Sequence, residues 1–160
     1  MNIRRATPAD HDDIWALVKP VIRSGRSYPL PTDLNREGGL AYWFAADKTV
    51  FVVERSGMLL GLYYIRPNNQ GPGDHICNCG YVTNPEFRGQ GIARNLCQHS
   101  LNFAREQGYR GMQYNLVVST NEAAVHLWTK MGFKIVGTLP MAFRDPEKGD
   151  VEAYVMFQKL

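Results

Sequence analysis

The sequence predicts a single-domain fold of the mixed α/β (α+β) class, in which a central sheet of about six to seven strands carries helices on both faces. Three observations lead there. β-rich runs and helix-periodic runs alternate in the order βααβββαβαββ, a hairpin signal at Ser56-Gly57 falls in the middle, and strand-helix-strand crossovers follow it. The 160 residues, 44% hydrophobic and 21% charged, suit one core spanning 1–160 and leave no room for a second.

Each element has its own local reason. Ile3 to Ala6 reads as an opening strand, after which Thr7, Pro8 and Asp10 stand where a helix takes its N-cap, first-turn proline and N3 acid. Ile14, Leu17, Val18, Val21 and Ile22 then recur at helical spacing, with Pro20 expected to kink or end the helix near Lys19. Ser24 to Pro31 is a loop by its Gly25, Pro29 and Pro31, and Leu40, Trp43 and Phe44 give a weaker helical stripe. Val50 to Arg55 and Met58 to Arg66 form the hairpin, and Ile76 to Thr83 is the next strand. Ile92, Leu96, Cys97, Leu101 and Ala104 trace one face of a long helix that Gly108 should stop. Met112 to Val118 is a strand, Asn121 to Met131 a helix, and Phe133 to Leu139 and Val151 to Phe157 are strands around a turn-rich insert, Ala142 to Asp150.

Composition excludes several classes of function. A net charge of +3 with no Lys/Arg run suits a small anionic ligand and gives no footprint for a nucleic acid. The longest apolar stretch, Met58 to Ile65, is too short to cross a membrane, and the two arginines near the start precede no apolar block, so the expected compartment is the cytoplasm. Cys77, Cys79 and Cys97 cannot all pair within the chain and are expected as reduced thiols.

The stretch richest in chemistry is Val82 to Arg94, V-T-N-P-E-F-R-G-Q-G-I-A-R, which joins a strand to a helix. Gly89 and Gly91 let backbone approach a ligand closely, and the helix start offers unpaired N–H groups at the positive end of its dipole. That is an anion site, to which Arg88 and Arg94 can add charge-assisted bonds. It is not a P-loop, because no Gly-Lys-Ser/Thr occurs in the chain. Nor is it a dinucleotide fingerprint, because Arg94 stands where the third glycine belongs.

Arg88, Gly91 and Ala93 match the R/Q-x-x-G-x-G/A signature, and Asn121-x-x-Ala124-x-x-Leu127-Trp128-x-Lys130-x-Gly132-Phe133 is similar to N-x-x-A-x-x-L-Y-x-K-x-G-F further along. With these two motifs in register the chain resembles the GNAT superfamily of acyl-CoA-dependent N-acyltransferases over essentially its whole length. The resemblance implies acetyl-CoA as co-substrate and no metal. Backbone at Val82 and the amides of Gly89, Gln90, Gly91, Ile92, Ala93 and Arg94 would hold pantetheine and pyrophosphate, with Arg88, Asn121 and Trp128 beside them. A substrate amine would attack the thioester directly, with a backbone N–H near Val82 facing the developing oxyanion.

One departure has chemical weight. Trp128 stands where the family usually has a tyrosine that protonates the leaving thiolate, and an indole N–H cannot do so at neutral pH. Tyr81, Tyr114, Tyr154 or the ammonium proton of the substrate are the substitutes. Asn78, on the strand beside the expected site, is a candidate for orienting the amine or carbonyl, or else a satisfied edge amide. Asn121 reads equally as a helix N-cap, and Trp128 as core. His75, Cys77 and Cys79 share a strand face but lack a fourth ligand, so buried thiols are expected rather than a metal site. His11, His99 and His126 are expected in solvent.

Gly137 to Met156 resembles, more weakly, the fungal acetyltransferases that detoxify proline analogues. This implies a small amino-acid-like acceptor whose carboxylate needs a cation, for which Arg26 and Arg144 are candidates. The implied partners are a small-molecule amine, with no nucleic acid and no membrane, and a homodimer is an allowed assembly. Acetylation of a protein N-terminus or lysine, and a catalytically silent acyl-CoA sensor, are the alternatives.

Overall fold

A computed structural model describes all of residues 1–160. Its elements are β1 (Asn2–Arg5), α1 (His11–Ser24), α2 (Arg36–Trp43), β2 (Thr49–Arg55), β3 (Met58–Pro67), β4 (Ile76–Thr83), α3 (Ile92–Glu106), β5 (Gly111–Val118), α4 (Glu122–Lys130), β6 (Lys134–Asp145) and β7 (Gly149–Lys159). The strands form one seven-stranded sheet in the order β1-β2-β3-β4-β5-β7-β6. Every neighbouring pair is antiparallel except β4 and β5. The β2–β3 hairpin turns through Ser56 and Gly57, both at positive φ, as a tight turn between right-twisted strands requires.

Each face of the sheet carries a core. On one side α3 and α4 pack Leu96, Leu101 and Trp128 onto Tyr63, Met112 and Met156. On the other, α1 and α2 pack Ile14, Val18 and Trp43 onto Val52 and Leu62. Burying such side chains contributes about 1.5–3 kcal/mol each, which is what fixes the two helical layers to the sheet. Asp10 anchors the start of α1: it accepts from the Thr7 N–H at 2.7 Å and both of its oxygens take Arg4 Nη groups at 2.8 and 2.9 Å. No helix is long and apolar enough to cross a membrane.

Three expectations need correction. Pro20 neither ends nor breaks α1, which continues to Ser24 and closes on Gly25 at φ 62°. Pro20 lies on the exposed face, so the Ala16 carbonyl that it leaves without a donor points to water. The supposed insert at Ala142 to Asp150 is mostly strand. β6 and β7 resume pairing at Phe143↔Val151 after a bulge between Leu139 and Phe143, where Met141 takes a φ of 52°. Finally, His11 and His99 are not free in solvent. His11 rests on Phe44 with 4.5 Å between ring centroids, and His99 Nδ1 shares a 2.8 Å hydrogen bond with the Tyr63 hydroxyl while burial lowers its pKa. All three cysteines are free and buried.

Candidate active site

The parallel junction of β4 and β5 consists of two register pairs, Ile76↔Gly111 and Cys77↔Met112, after which the strands separate. Side chains hold the gap open. Asn78, next along β4, donates from Nδ2 to the Gln113 carbonyl at 2.9 Å, so a side chain occupies the position where a ladder bond would continue. Farther along, Tyr81, Tyr114 and Trp128 wedge together, with Trp128 4.9 Å from Tyr81 and 5.1 Å from Tyr114 between ring centroids. A cavity of about 580 Å³ runs along this split, reaching from Arg66 and Asn78 to Val82, Arg88 and Asn121.

At its outer end the cavity meets the start of α3. Gly89 and Gly91 have φ values of 77° and 73°, and Gly91 is the N-cap whose carbonyl takes the first helical bond, from Asn95 N–H at 3.0 Å. The N–H groups of Ile92, Ala93 and Arg94 therefore have no partner four residues earlier. A Cβ built on either glycine would meet nothing within 4 Å, so this backbone lies open to a ligand. Gln90 is tied by Arg55 Nη2 at 2.9 Å, whereas the exposed Arg88 borders both the inner cavity and a second of about 960 Å³ outside it. Asn121 also borders both, and caps α4 by accepting from the Ala124 N–H at 3.4 Å. Capping thus leaves Asn121 on the wall of both cavities. Trp128 likewise does both things the sequence left open: it is 8% exposed, packs in the core and lines the cavity.

Tyr81 lines the same cavity, but its hydroxyl points into the interior. Ser100 gives its proton to the Cys97 carbonyl at 2.8 Å, so Tyr81 must donate to Ser100 at 2.7 Å and Tyr114 must donate to Tyr81 at 2.9 Å. Burial raises both phenols well above their ordinary range. With their protons committed and their charged forms disfavoured, neither has a proton to offer a leaving group, which corrects the expectation for Tyr81.

The arginine expectations also divide. Arg26 borders the outer cavity and is ion-paired to Glu147 in the β6–β7 turn. Arg144 is 90% exposed, 3.7 Å from Asp150, and borders neither cavity. The inner cavity does not receive them.

What the sequence did not reveal is the cavity's far wall. Tyr28, from the loop after α1, donates to the Tyr81 carbonyl at 2.9 Å, and the Tyr42 and Tyr64 hydroxyls meet at 3.2 Å. Gly80 makes this convergence possible, because a Cβ there would lie 2.5 Å from the Tyr64 ring and 2.9 Å from the Tyr28 hydroxyl. Behind the rings, Lys48 Nζ lies 3.4 Å from the centroid of Tyr42 and 4.2 Å from that of Tyr64, and burial with nearby Arg66 lowers its pKa to about 8. Arg66 and Arg88 are the only charged residues lining the inner cavity. The available signal was the two-residue period of β3, which puts Tyr64 and Arg66 on one face opposite Gly80 and Asn78. No group of three or more His, Cys, Asp or Glu side chains is placed to hold a metal.

Residues 15–133 match the family model described as "Acetyltransferase (GNAT) family". The chain is 31% identical to the N-acetyltransferase aca1 of Schizosaccharomyces pombe, over 84% of this chain and 72% of that protein. Its backbone superposes with a TM-score of 0.94 on a GCN5-related N-acetyltransferase from Kribbella flavida, at 33% identity and covering 99% and 97% of the two chains. A phosphinothricin acetyltransferase from Sinorhizobium meliloti, solved in complex with AcCoA, shares the fold at 16% identity, with a TM-score of 0.86 and 99% and 88% coverage. With this match over most of its length and an open helix mouth beside a split parallel pair, the chain belongs to the acetyltransferase (GNAT) family and is an acyl-CoA-dependent N-acetyltransferase.

Proposed function

We propose that the protein moves an acetyl group from acetyl-CoA to the amine of a small molecule, an amino acid or a toxic amino-acid analogue among the candidates. Acetyl-CoA supplies a thioester that an amine attacks without a covalent enzyme intermediate. The observation that carries the reading is that the cavity in the split between β4 and β5 ends at Arg88 and Ala93, which flank the open glycine backbone at the start of α3. In this reading the first-turn amides from Gly89 to Arg94, with Arg88, hold the pyrophosphate, and the pantetheine lies along Val82 with Asn121 at its side. A backbone N–H near Val82 meets the charge that develops on the carbonyl oxygen.

The limited volume of the inner cavity favours a small acceptor. No carboxylate or imidazole lines it to act as a base, and Trp128 supplies no acid. Both protonation roles therefore pass to water and to the reactants themselves. That is chemically sufficient, since a thiol of pKa about 8.5 is a fair leaving group near neutrality. Asn78 keeps a positioning role, with its carboxamide fixed by the Gln113 carbonyl at the inner end of the cavity.

The deciding experiment mixes the protein with acetyl-CoA and a panel of amines and follows free thiol. Release with a small amine supports the reading, and release with peptides alone would move the assignment to protein acetylation. A rise in melting temperature on adding acetyl-CoA, with no thiol from any amine or peptide, would leave a binding protein in place of an enzyme.

A further inference from the structure

The inner cavity carries positive charge at both ends, Arg88 beside the α3 mouth and Arg66 at the far end, and no acidic side chain lines it. Arg66 stands opposite Asn78 in the β3–β4 register, on the face that also presents Tyr64 and Gly80. Its nearest approach to a carboxylate is from Nε to Asp47 Oδ2 at 3.0 Å, and its hydrogen bond to protein also uses Nε, to the Pro67 carbonyl at 3.3 Å. The Nη1 and Nη2 edge makes no hydrogen bond to the protein, although a guanidinium is built to grip two oxygens of one anion.

The surroundings hold a further excess of positive charge. Lys48 sits behind Tyr42 and Tyr64, near enough for Arg66 to disfavour its charged form, and the Asp47 carboxylate is shared between the two cations. Two cations against one carboxylate leave this wall short of an anion. The opposite substrate class, a polyamine or a lysine within a basic peptide, would bring more positive charge to a cavity that offers it no counter-charge.

We propose that Arg66 is a specificity-determining residue for the acceptor, its free Nη edge binding a carboxylate carried by the same molecule as the reacting amine. The inference rests on the acetyltransferase reading above and names the acceptor as a small amine that is also an anion. Arg66 takes the place that the sequence suggested for Arg26 and Arg144, which the fold directs elsewhere.

The test uses the full chain, saturating acetyl-CoA and thiol release with matched pairs: alanine and alaninamide, proline and prolinamide, β-alanine and its amide. Rates are compared at equal concentrations of neutral amine, because an amide lowers the basicity of its neighbour. The wild type should favour the acid of at least one pair by about 10- to 100-fold in kcat/KM, the scale of one charge-assisted bidentate contact. Arg66→Met should erase that preference mainly through KM, lowering rates on acids more than rates on amides, with the acetyl-CoA-induced rise in melting temperature little changed, and Arg66→Lys should recover part of it. Acids and amides used equally by the wild type would overturn the assignment while leaving the enzyme reading intact. So would a preference that survives Arg66→Met, or Arg66→Gln if the methionine variant does not fold. A thermal response to acetyl-CoA with no thiol from any amine would instead remove the enzyme reading, and this one with it.

Discussion

The Tyr28 hydroxyl donates to the Tyr81 carbonyl at 2.9 Å across fifty-three residues of sequence. This bond fastens the loop after α1 to β4 beyond the point where β4 leaves β5, and makes that loop one wall of the inner cavity. Tyr28→Phe removes the donor and little else. It should cost about 1 kcal/mol, read as a melting temperature lower by about 2–4 °C for a chain of this size. The catalytic effect should fall on the acceptor: KM for the amine rises while affinity for acetyl-CoA, measured by calorimetry, stays nearly constant.

Gly91→Ala separates backbone strain from ligand contact. The added methyl meets no atom of the protein, so the loss of stability should be limited to the cost of a positive φ, about 1–3 kcal/mol. Acetyl-CoA affinity should fall by more than tenfold, because in the proposed binding mode the same methyl intrudes where the open backbone faces the pyrophosphate. An affinity equal to that of the wild type would move the phosphate site away from α3.

Gly80→Ala should be severe for the opposite reason. Its methyl would strike the Tyr64 ring and the Tyr28 hydroxyl, which are packed against Tyr42 and Trp43. Overpacking of this kind costs about 1–3 kcal/mol, and turnover should drop with it as the far wall shifts. Chemical denaturation and steady-state kinetics on one preparation read both effects.

Trp128→Tyr returns a phenol to a position bordered by Tyr81, Tyr114 and the cavity. The smaller ring should cost stability, by about 1–2 kcal/mol. Activity should nevertheless hold or rise, with a new alkaline limb in the pH dependence of kcat as the phenol loses its proton; complete unfolding would show the indole to be needed as core alone.

Stability should fall at both extremes of pH. Arg4 holds the Asp10 carboxyl far below the usual carboxylate range, so its contribution is full above about pH 4 and is lost as the pH drops through the folded value. Asp10→Asn should flatten the acid limb of a denaturation curve. In alkali the sign reverses. Burial pushes the Cys77 thiol up to about 12 and Cys97 to about 11, so the unfolded chain releases those protons first and stability declines from about pH 9 upward. Lys48, lowered to about 8, works against this decline, but it is one ammonium against three raised thiols.

Local grammar made much of the fold readable. Ser56-Gly57 specified its hairpin, Asn121 its helix cap, and the glycines before Ile92 their open turn, because each acts through backbone geometry within a few residues. The misreadings came where a distant surface decides. Pro20 is tolerated because its face of α1 meets water, and Ala142 to Asp150 mimics a turn-rich insert although most of it belongs to β6 and β7, which resume pairing past a bulge. At the site, Tyr81 has the look of an available acid in sequence, but Ser100, from a helix, takes its proton while Tyr114, from another strand, donates to its oxygen. Arg66 drew no notice because nothing near it in sequence sets it apart, and only the pairing of β3 with β4 brings it to the cavity.

The two-rung junction of β4 with β5 is also a structural debt. Past Cys77 the amides facing the gap have no neighbouring strand to answer them, so the empty protein is a sheet with a torn seam. A coenzyme carrying two amides of its own would close that seam like a thread, and hydrogen exchange at Tyr81, whose backbone faces the gap, should slow on loading even when no amine is offered. Rigidity across the middle of this molecule would then be borrowed from its substrate and handed back at every product release.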